Sequence, residues 1–219
     1  MKKTVLFAFV LTVAAWGNST TDWIHSIKKV ETPEAIKEKI RNLDFEYYTN
    51  SNPSLPIDIS EIINIGEQIW SIIEKNKPVL KVSYVHANAL PKGLSAEDME
   101  GFSDIQFASY NLSGKNLYGM RVYNVTYTIA HRYGGNVNGK GHFIENATVL
   151  PHKVDVAWGY NVDLGVTKTS TSNAGTKEDP VGQLLLELTF KVSTVVKAHE
   201  YRNLFDFRGD SATVKAIED

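Results

Sequence analysis

Residues 183–199, QLLLELTFKVSTVVKAH, alternate apolar and polar side chains more regularly than any other stretch of the chain. Successive side chains of a β-strand point to opposite faces, so this period of two predicts a strand with one buried face. At about 3.3 Å per residue the run would extend roughly 55 Å, and we expect it to bend or twist strongly. The apolar positions are Leu184, Leu186, Leu188, Phe190, Val192 and Val196.

The same period of two continues upstream of this stretch. In residues 121–133 the odd positions are aromatic or apolar and the even ones are mostly polar. The chain then passes through 134–141, which is rich in glycine and asparagine, and returns through 142–162. Two such runs joined by a turn predict a long β-hairpin. We expect further strands within 79–90 and 104–112.

The N-terminal third has a different spacing. Ile24, Ile27 and Val30 lie three residues apart, behind the cap candidate Asp22, and this spacing predicts a short helix.

A second helix is expected after Thr32 and Pro33, because proline has no N–H to lose at the start of a helix. Ile36, Ile40 and Leu43 would then share one face.

The most apolar helix is expected between residues 58 and 75. Asp58 and Glu61 have the spacing of a capping box, and Asn76 with Pro78 would end the helix. Its apolar stripe is formed by Ile59, Ile62, Ile63, Ile69, Trp70 and Ile73.

Together these patterns predict an α+β fold, in which N-terminal helices pack on a strongly twisted antiparallel sheet of long strands. We expect one domain over 16–219, mainly helical over 16–77 and mainly β over 78–219. Ile62, Ile69 and Ile73 would anchor the third helix to the sheet.

The first fifteen residues have the features of a secretory signal peptide. Lys2 and Lys3 precede an apolar run, 5–15, that ends in small residues and is too short to span a bilayer. The chain has no cysteine, which is more typical of a bacterial export product than of a eukaryotic one. We therefore expect a secreted or periplasmic protein without a transmembrane segment in its mature chain.

The charge balance argues against nucleic acid as a partner. Lys and Arg number 23 and Asp and Glu number 25, so the chain lacks a basic excess. Gly134 to Lys140 superficially matches a phosphate-binding loop, but Gly141 replaces the required Ser or Thr, and the pattern favours a hairpin turn. No cofactor is expected.

Other motifs have simple structural interpretations. His131 and His142 could hold a metal with Glu145, but such pairs are more often packing residues, and we assign no metal site. Residues 208–210 spell Arg-Gly-Asp, which fits a glycine-centred turn better than an adhesion motif. No catalytic residue is assigned.

A surplus of aromatic residues on the hairpin is the best candidate for a binding site. Tyrosine and tryptophan combine apolar area with a polar group, which suits a small-molecule, glycan, peptide or lipid ligand. The predicted function is a non-enzymatic, exported ligand-binding or envelope-associated protein. The proposed ligand-binding residues are Tyr123, Tyr127, Tyr133, Trp158 and Tyr160.

Two alternative functions remain open. A secreted hydrolase would need two or more dispersed acidic and histidine residues in one cleft, and a membrane-inserting β-hairpin is suggested by the Ser/Thr-rich segment 166–172. The candidates for the hydrolase are Asp104, Glu145, Asp155, His131 and His142.

Overall fold

The computed structural model describes residues 23–42, 58–63, 70–75 and 86–218. In that part of the chain, one antiparallel sheet of six strands and another of five enclose the main hydrophobic core between them. The architecture is a β-sandwich, in which each sheet buries one face against the other.

The six-stranded sheet has the order β1-β5-β6-β7-β4-β2, and the five-stranded sheet has the order β11-β10-β9-β8-β3. The described part of the chain contains one α-helix, α1 (Glu34–Arg41). The strands are β1 (Trp23–Val30), β2 (Ile62–Ile63), β3 (Trp70–Lys75), β4 (Ala87–Pro91), β5 (Gln106–Asn116), β6 (Arg121–Val137), β7 (Lys140–Val156), β8 (Asn161–Asn173), β9 (Gly182–Ser193), β10 (Ala198–Arg208) and β11 (Lys215–Glu218).

The core is built from the inward-facing positions of both sheets. In β9 every second residue from Leu184 to Val192 is buried, which confirms the face predicted from the alternation. Val125, Tyr127 and Ile129 of β6 belong to the same cluster. Burial of this apolar surface is the main stabilising contribution, at about 25 cal/mol per Å².

The run 183–199 forms two strands rather than one bent strand. β9 and β10 pair antiparallel, from Ser193 opposite Ala198 to Gln183 opposite Arg208, and the chain reverses between them. The alternation already fails at this point, because Val195 and Val196 are adjacent apolar residues.

The predicted α+β class is wrong, because the N-terminal third contributes strands to both sheets. The expected helix over Ile24, Ile27 and Val30 is β1, an edge strand that pairs with β5 along its full length. Isoleucine and valine are β-branched and suit strands. A short edge strand is weakly constrained by burial, so its apolar spacing can imitate a helix.

The expected helix over 58–75 is also wrong. β2 pairs with β4, and β3 pairs with β8. The residues of the supposed capping box have other roles: Asp58 accepts a hydrogen bond from the backbone N–H of Ser60 at 2.9 Å, which forms a turn. Glu61 makes an ion pair of 2.8 Å with Lys92.

The predicted anchors of that helix are corrected accordingly. Ile62 is partly buried against the main core from β2, Ile73 lies in β3, and Ile69 is outside the described residues. In the part of the chain that the structure describes, the cover over the six-stranded sheet is therefore the second sheet, and no Ile-rich helix fills that role.

The helix expected after Thr32 and Pro33 is confirmed as α1. Its Ile40 is buried against Ala130 and Leu150, on the outer face of the six-stranded sheet. Leu43, the expected continuation of this face, is outside the described residues. Residues 1–15, which are predicted to be a signal peptide, and residues 76–85, between β3 and β4, are also outside them. The single domain over 16–219 stays a prediction.

Candidate functional site

Two of the five aromatic residues predicted to bind a ligand lie in the core. Tyr123 and Tyr127 are each 1% exposed. The ring of Tyr123 is 4.9 Å from that of Phe190, and the ring of Tyr127 is 6.2 Å from that of Phe205. Burial raises the pKa of both tyrosine hydroxyls. These two rings fill the space between the sheets.

The other three aromatic residues have separate surroundings. Tyr133 is half-buried, with its ring 6.1 Å from that of His131. Tyr160 is partly buried and packs against the main core. Trp158 is 90% exposed. The structure therefore does not gather the five residues into one surface.

Trp158 lies at an end of the sandwich where three connections meet. Residues 117–120 join β5 to β6, residues 157–160 join β7 to β8, and residues 194–197 join β9 to β10. β5, β6 and β7 pair antiparallel in one sheet, and β8, β9 and β10 pair antiparallel in the other. Since residues 157–160 are a short link from β7 to β8, the three connections lie at the same end.

The strand register confirms this arrangement. Val156, the last residue of β7, pairs with Tyr123 near the start of β6, and the backbone N–H of Ala157 donates to the carbonyl of Val122 at 2.9 Å. The second connection therefore begins next to the first and passes from one sheet to the other.

These three connections carry most of the exposed large apolar side chains. Val195 is 99% exposed and Tyr118 is 89% exposed. Gathered apolar surface of this kind usually marks an interaction site. Among the described residues, six of the eight exposed large apolar side chains form what we call the apolar end: Leu117, Tyr118, Met120, Trp158, Val195 and Val196.

The turns of the apolar end are held by their own hydrogen bonds. The Asn116 side-chain oxygen accepts from the backbone N–H groups of Tyr118 at 3.1 Å and Met120 at 3.0 Å. The backbone N–H of Thr194 donates to the carbonyl of Lys197 at 2.7 Å, and the N–H of Lys197 donates to the Thr194 hydroxyl at 3.1 Å. The apolar side chains are thus presented on fixed turns.

Positive charges surround the apolar end. Lys115 and Arg121 are exposed on either side of the first turn, and Lys197 closes the third. Three acids lie close in sequence to the second and third turns: Asp155, Asp163 and Glu200. The Asp155 carboxylate lies 3.4 Å from the ammonium nitrogen of Lys153, and the Glu200 carboxylate lies 2.7 Å from the guanidinium of Arg202. The local balance is basic, although the whole chain carries a net charge of −2.

The opposite end of the sandwich has a different surface. Its connections are residues 138–139, 174–181 and 209–214, and the exposed side chains of the second include Lys177, Glu178 and Asp179. Among the residues that the structure describes, the apolar character is therefore specific to one end.

The histidines considered for a metal site lie in unlike surroundings. His131 is buried edge-on against Phe207 at 5.3 Å, with Nε2 3.4 Å from the carbonyl oxygen of Ser211. Loss of hydration lowers the pKa of His131, and the Ser211 carbonyl opposes part of this shift. His142 is exposed. Within the described ranges, no group of three or more His, Asp or Glu residues is placed to hold a metal ion.

The acidic residues considered for a hydrolase are also distributed. Glu145 is buried, and its Oε2 lies 2.7 Å from Nη1 of Arg132. The Arg132 guanidinium also donates to the carbonyl of Ser103 at 3.0 Å. Asp104 and Asp155 are both exposed. The structure gives Glu145 a clear partner in an ion pair that joins β6 to β7.

Residues 134–141 contain the turn of a hairpin at 138–139, as their sequence predicts, with the end of β6 and the start of β7 on either side. Val137 pairs with Lys140, and between them Asn138 and Gly139 have φ values of 51° and 76°. Positive φ at both central residues is typical of the type I′ turn, which matches the twist of a hairpin. The next residues continue into β7, so no helix follows that could bind phosphate.

The Arg-Gly-Asp segment is likewise a turn. Arg208 Nε lies 2.9 Å from Asp210 Oδ1, and Arg208 Nη2 lies 2.7 Å from Oδ2. The hydrogen bonds from Arg208 lower the pKa of the Asp210 carboxyl. Both charged groups of the motif are thus engaged with each other.

The Ser/Thr-rich segment 166–172 lies within β8. It pairs with β9, with an irregularity in register between Lys168 and Ser170. Its insertion into a membrane stays a prediction. No helix in the described ranges has the length and apolar character needed to cross a membrane.

Sequence reasoning identified Trp158 but missed the other residues of the apolar end. The sequence does contain a signal for this surface, because turns are normally polar and two of these turns are not. Apolar residues occupy Leu117-Tyr118-Gly119-Met120 and Val195-Val196. Their proximity depends on the order of six strands, which the sequence pattern does not show.

Comparison of the chain with protein-family models, curated proteins and solved structures gives no match. The function must therefore be inferred from the chain itself.

Proposed function

We propose that the protein is an exported, non-enzymatic binding protein of the cell envelope, and that it binds through the apolar end. The observation that carries this proposal is the clustering of six exposed apolar side chains on three neighbouring turns. Of the aromatic residues predicted from the sequence, Trp158 lies in the proposed surface.

The fixed turns support a binding role. Large apolar side chains in water are unfavourable, and a partner that covers them gains about 25 cal/mol per Å² of buried area. Turns already held by hydrogen bonds lose little conformational freedom on binding, which favours affinity.

The partners of the titratable residues favour binding over catalysis. The Glu145 carboxylate is matched by Arg132, and the His131 ring packs against Phe207. These contacts are typical of structural roles, whereas a general base must reach a substrate.

Export is supported by the N-terminal sequence, with Lys2, Lys3 and the apolar run 5–15. The full-length chain should be expressed in a bacterial host, and the intact mass of the exported product should show removal of residues 1–15. Retention of that segment in the exported fraction would contradict this part of the proposal.

The binding role is tested with isolated envelopes from the same host. A triple variant, Tyr118→Ser with Trp158→Ser and Val195→Ser, should bind at least about tenfold more weakly than the parent chain in co-sedimentation. The control is Val30→Ser with Ile217→Ser, which removes exposed apolar residues from β1 and β11. Equal binding by parent and triple variant, with both folded, would place the binding surface elsewhere.

A further inference from the structure

On the basis of the function proposed above, we infer that the partner of the apolar end is the surface of a lipid bilayer that contains anionic lipids.

The residue types match the chemical layers of a bilayer surface. Trp158 and Tyr118 have apolar rings with a polar group, and such side chains are enriched where hydrocarbon meets headgroups. The remaining side chains of the apolar end are aliphatic or thioether groups, which gain by entering the hydrocarbon boundary. Their positions on separate turns allow each to insert as a short wedge.

The backbone of the turns is suited to a medium with little water. Asn116 satisfies the N–H groups of Tyr118 and Met120, and the Thr194 hydroxyl accepts from Lys197. Unsatisfied N–H groups are costly in lipid, so turns that satisfy several of their own donors can approach the hydrocarbon boundary.

The charges complement an anionic leaflet. Lys115, Arg121 and Lys197 surround the apolar side chains, and no ion pair joins Lys115 or Arg121 to an acid among the described residues. Long basic side chains can keep their charged groups among lipid phosphates while their stems cover apolar surface. Since the whole chain is slightly acidic, the attraction is local to this end.

The chain enters the fold at the same end. Trp23, the first residue of β1, pairs with Asn116, which precedes the first turn. The segment before residue 23 therefore joins the sandwich on this side, and that segment contains the basic and apolar residues 2–15.

The test measures binding of the exported product, with residues 1–15 removed, to vesicles of phosphatidylglycerol mixed with phosphatidylcholine, and to vesicles of phosphatidylcholine alone. We expect binding to the anionic vesicles that weakens with added salt, and at least tenfold weaker binding to the neutral ones. Lys115→Gln and Arg121→Gln should each reduce affinity for the anionic vesicles about fivefold. The matched controls, Lys140→Gln and Lys177→Gln as single variants, each remove one positive charge from the opposite end and should each leave affinity unchanged.

The outcomes separate this inference from the function on which it is based. Equal affinity for neutral and anionic vesicles would overturn the inference. So would an equal loss of affinity in the charge variants at the apolar end and in the control variants at the opposite end. The protein could also bind envelopes through Tyr118, Trp158 and Val195 and yet bind neither kind of vesicle. That result would overturn the lipid inference and indicate a protein or glycan partner, but it would leave the proposed binding role intact. Loss of vesicle binding in the Trp158→Ser and Val195→Ser variants, but not in Ile217→Ser, would support the lipid inference.

Discussion

Asn161 at the start of β8 pairs with Ser193 at the end of β9, and this register brings the Trp158 turn beside the turn that carries Val195 and Val196. Two stretches more than thirty residues apart in sequence thereby contribute to one exposed surface. Neither β8 nor β9 has an apolar outer face next to these turns. The exposed apolar surface is therefore formed by the turns alone, and the pairing of the two strands brings the turns together.

The division between core and surface aromatic residues predicts effects on stability of very different size. Tyr127→Ala should lower the free energy of unfolding by about 3 to 5 kcal/mol, because it leaves a cavity between the sheets. Trp158→Ala should change it by less than about 0.5 kcal/mol, because the indole is 90% exposed. Urea denaturation measures both.

Tyr127→Phe is the control for this pair, since it keeps the ring and removes the hydroxyl. It should be much milder than Tyr127→Ala. A large loss of stability in Trp158→Ala, comparable with that of Tyr127→Ala, would show that Trp158 is packed and not presented to a partner.

Burial of His131 predicts a dependence of stability on pH. Desolvation lowers the pKa of His131 in the folded state, while the unfolded value is about 6.5. The unfolded chain then binds more protons, so the free energy of unfolding should fall as the pH drops below about 6.5. The pKa values of His86 and His152 are lowered by burial and act in the same direction.

The contribution of His131 is isolated by substitution. His131→Gln should reduce the slope of stability against pH between about 7.5 and 5.5, measured by denaturation at each pH. His142→Gln, at an exposed position of β7, is the comparison. An unchanged slope in His131→Gln would contradict the assignment.

The ion pair between β6 and β7 predicts an asymmetric response to substitution. Arg132→Met leaves the Glu145 carboxylate, with a side chain 3% exposed, without its charged partner, and should cost roughly 3 to 5 kcal/mol. Arg132→Met with Glu145→Leu removes both charges and should recover much of that loss.

An exposed ion pair gives the reference for this comparison. Arg202→Met breaks the surface contact with Glu200 and should cost about 0 to 1 kcal/mol. If Arg132→Met and Arg202→Met have the same effect in urea denaturation, the pair with Glu145 is not buried in solution as it is in the structure.

The β-rich part of the fold could be predicted because its strands have one clearly buried face. The alternation at Leu184 to Val192 marks that face directly. The failure at residues 58–75 has a physical cause, since Ile62, Ile63 and Ile73 lie in short strands whose partners are distant in sequence. Isoleucine spacing over so few residues fits a helix and a strand equally well, and tertiary pairing decides between them.

The candidate site was predictable in part. The sequence predicts a partly wet aromatic surface on the hairpin, but Tyr123 and Tyr127 of β6 face the second sheet, which the sequence pattern does not reveal. Tyr123 and Tyr127 are therefore core residues in the structure. Trp158 belongs to the proposed surface because Gly159, with φ of 85°, lets the chain turn sharply at that point.

The most direct test of the account measures whether the apolar end enters a bilayer. The chain has no cysteine, so Val195→Cys provides a single site for an environment-sensitive fluorophore, and Glu178→Cys provides the matched site at the opposite end. On addition of vesicles that contain phosphatidylglycerol, the probe at Val195 should shift to the blue and brighten, while the probe at Glu178 should not change. No change at Val195 when the protein has bound, or an equal change at both positions, would contradict docking through the apolar end.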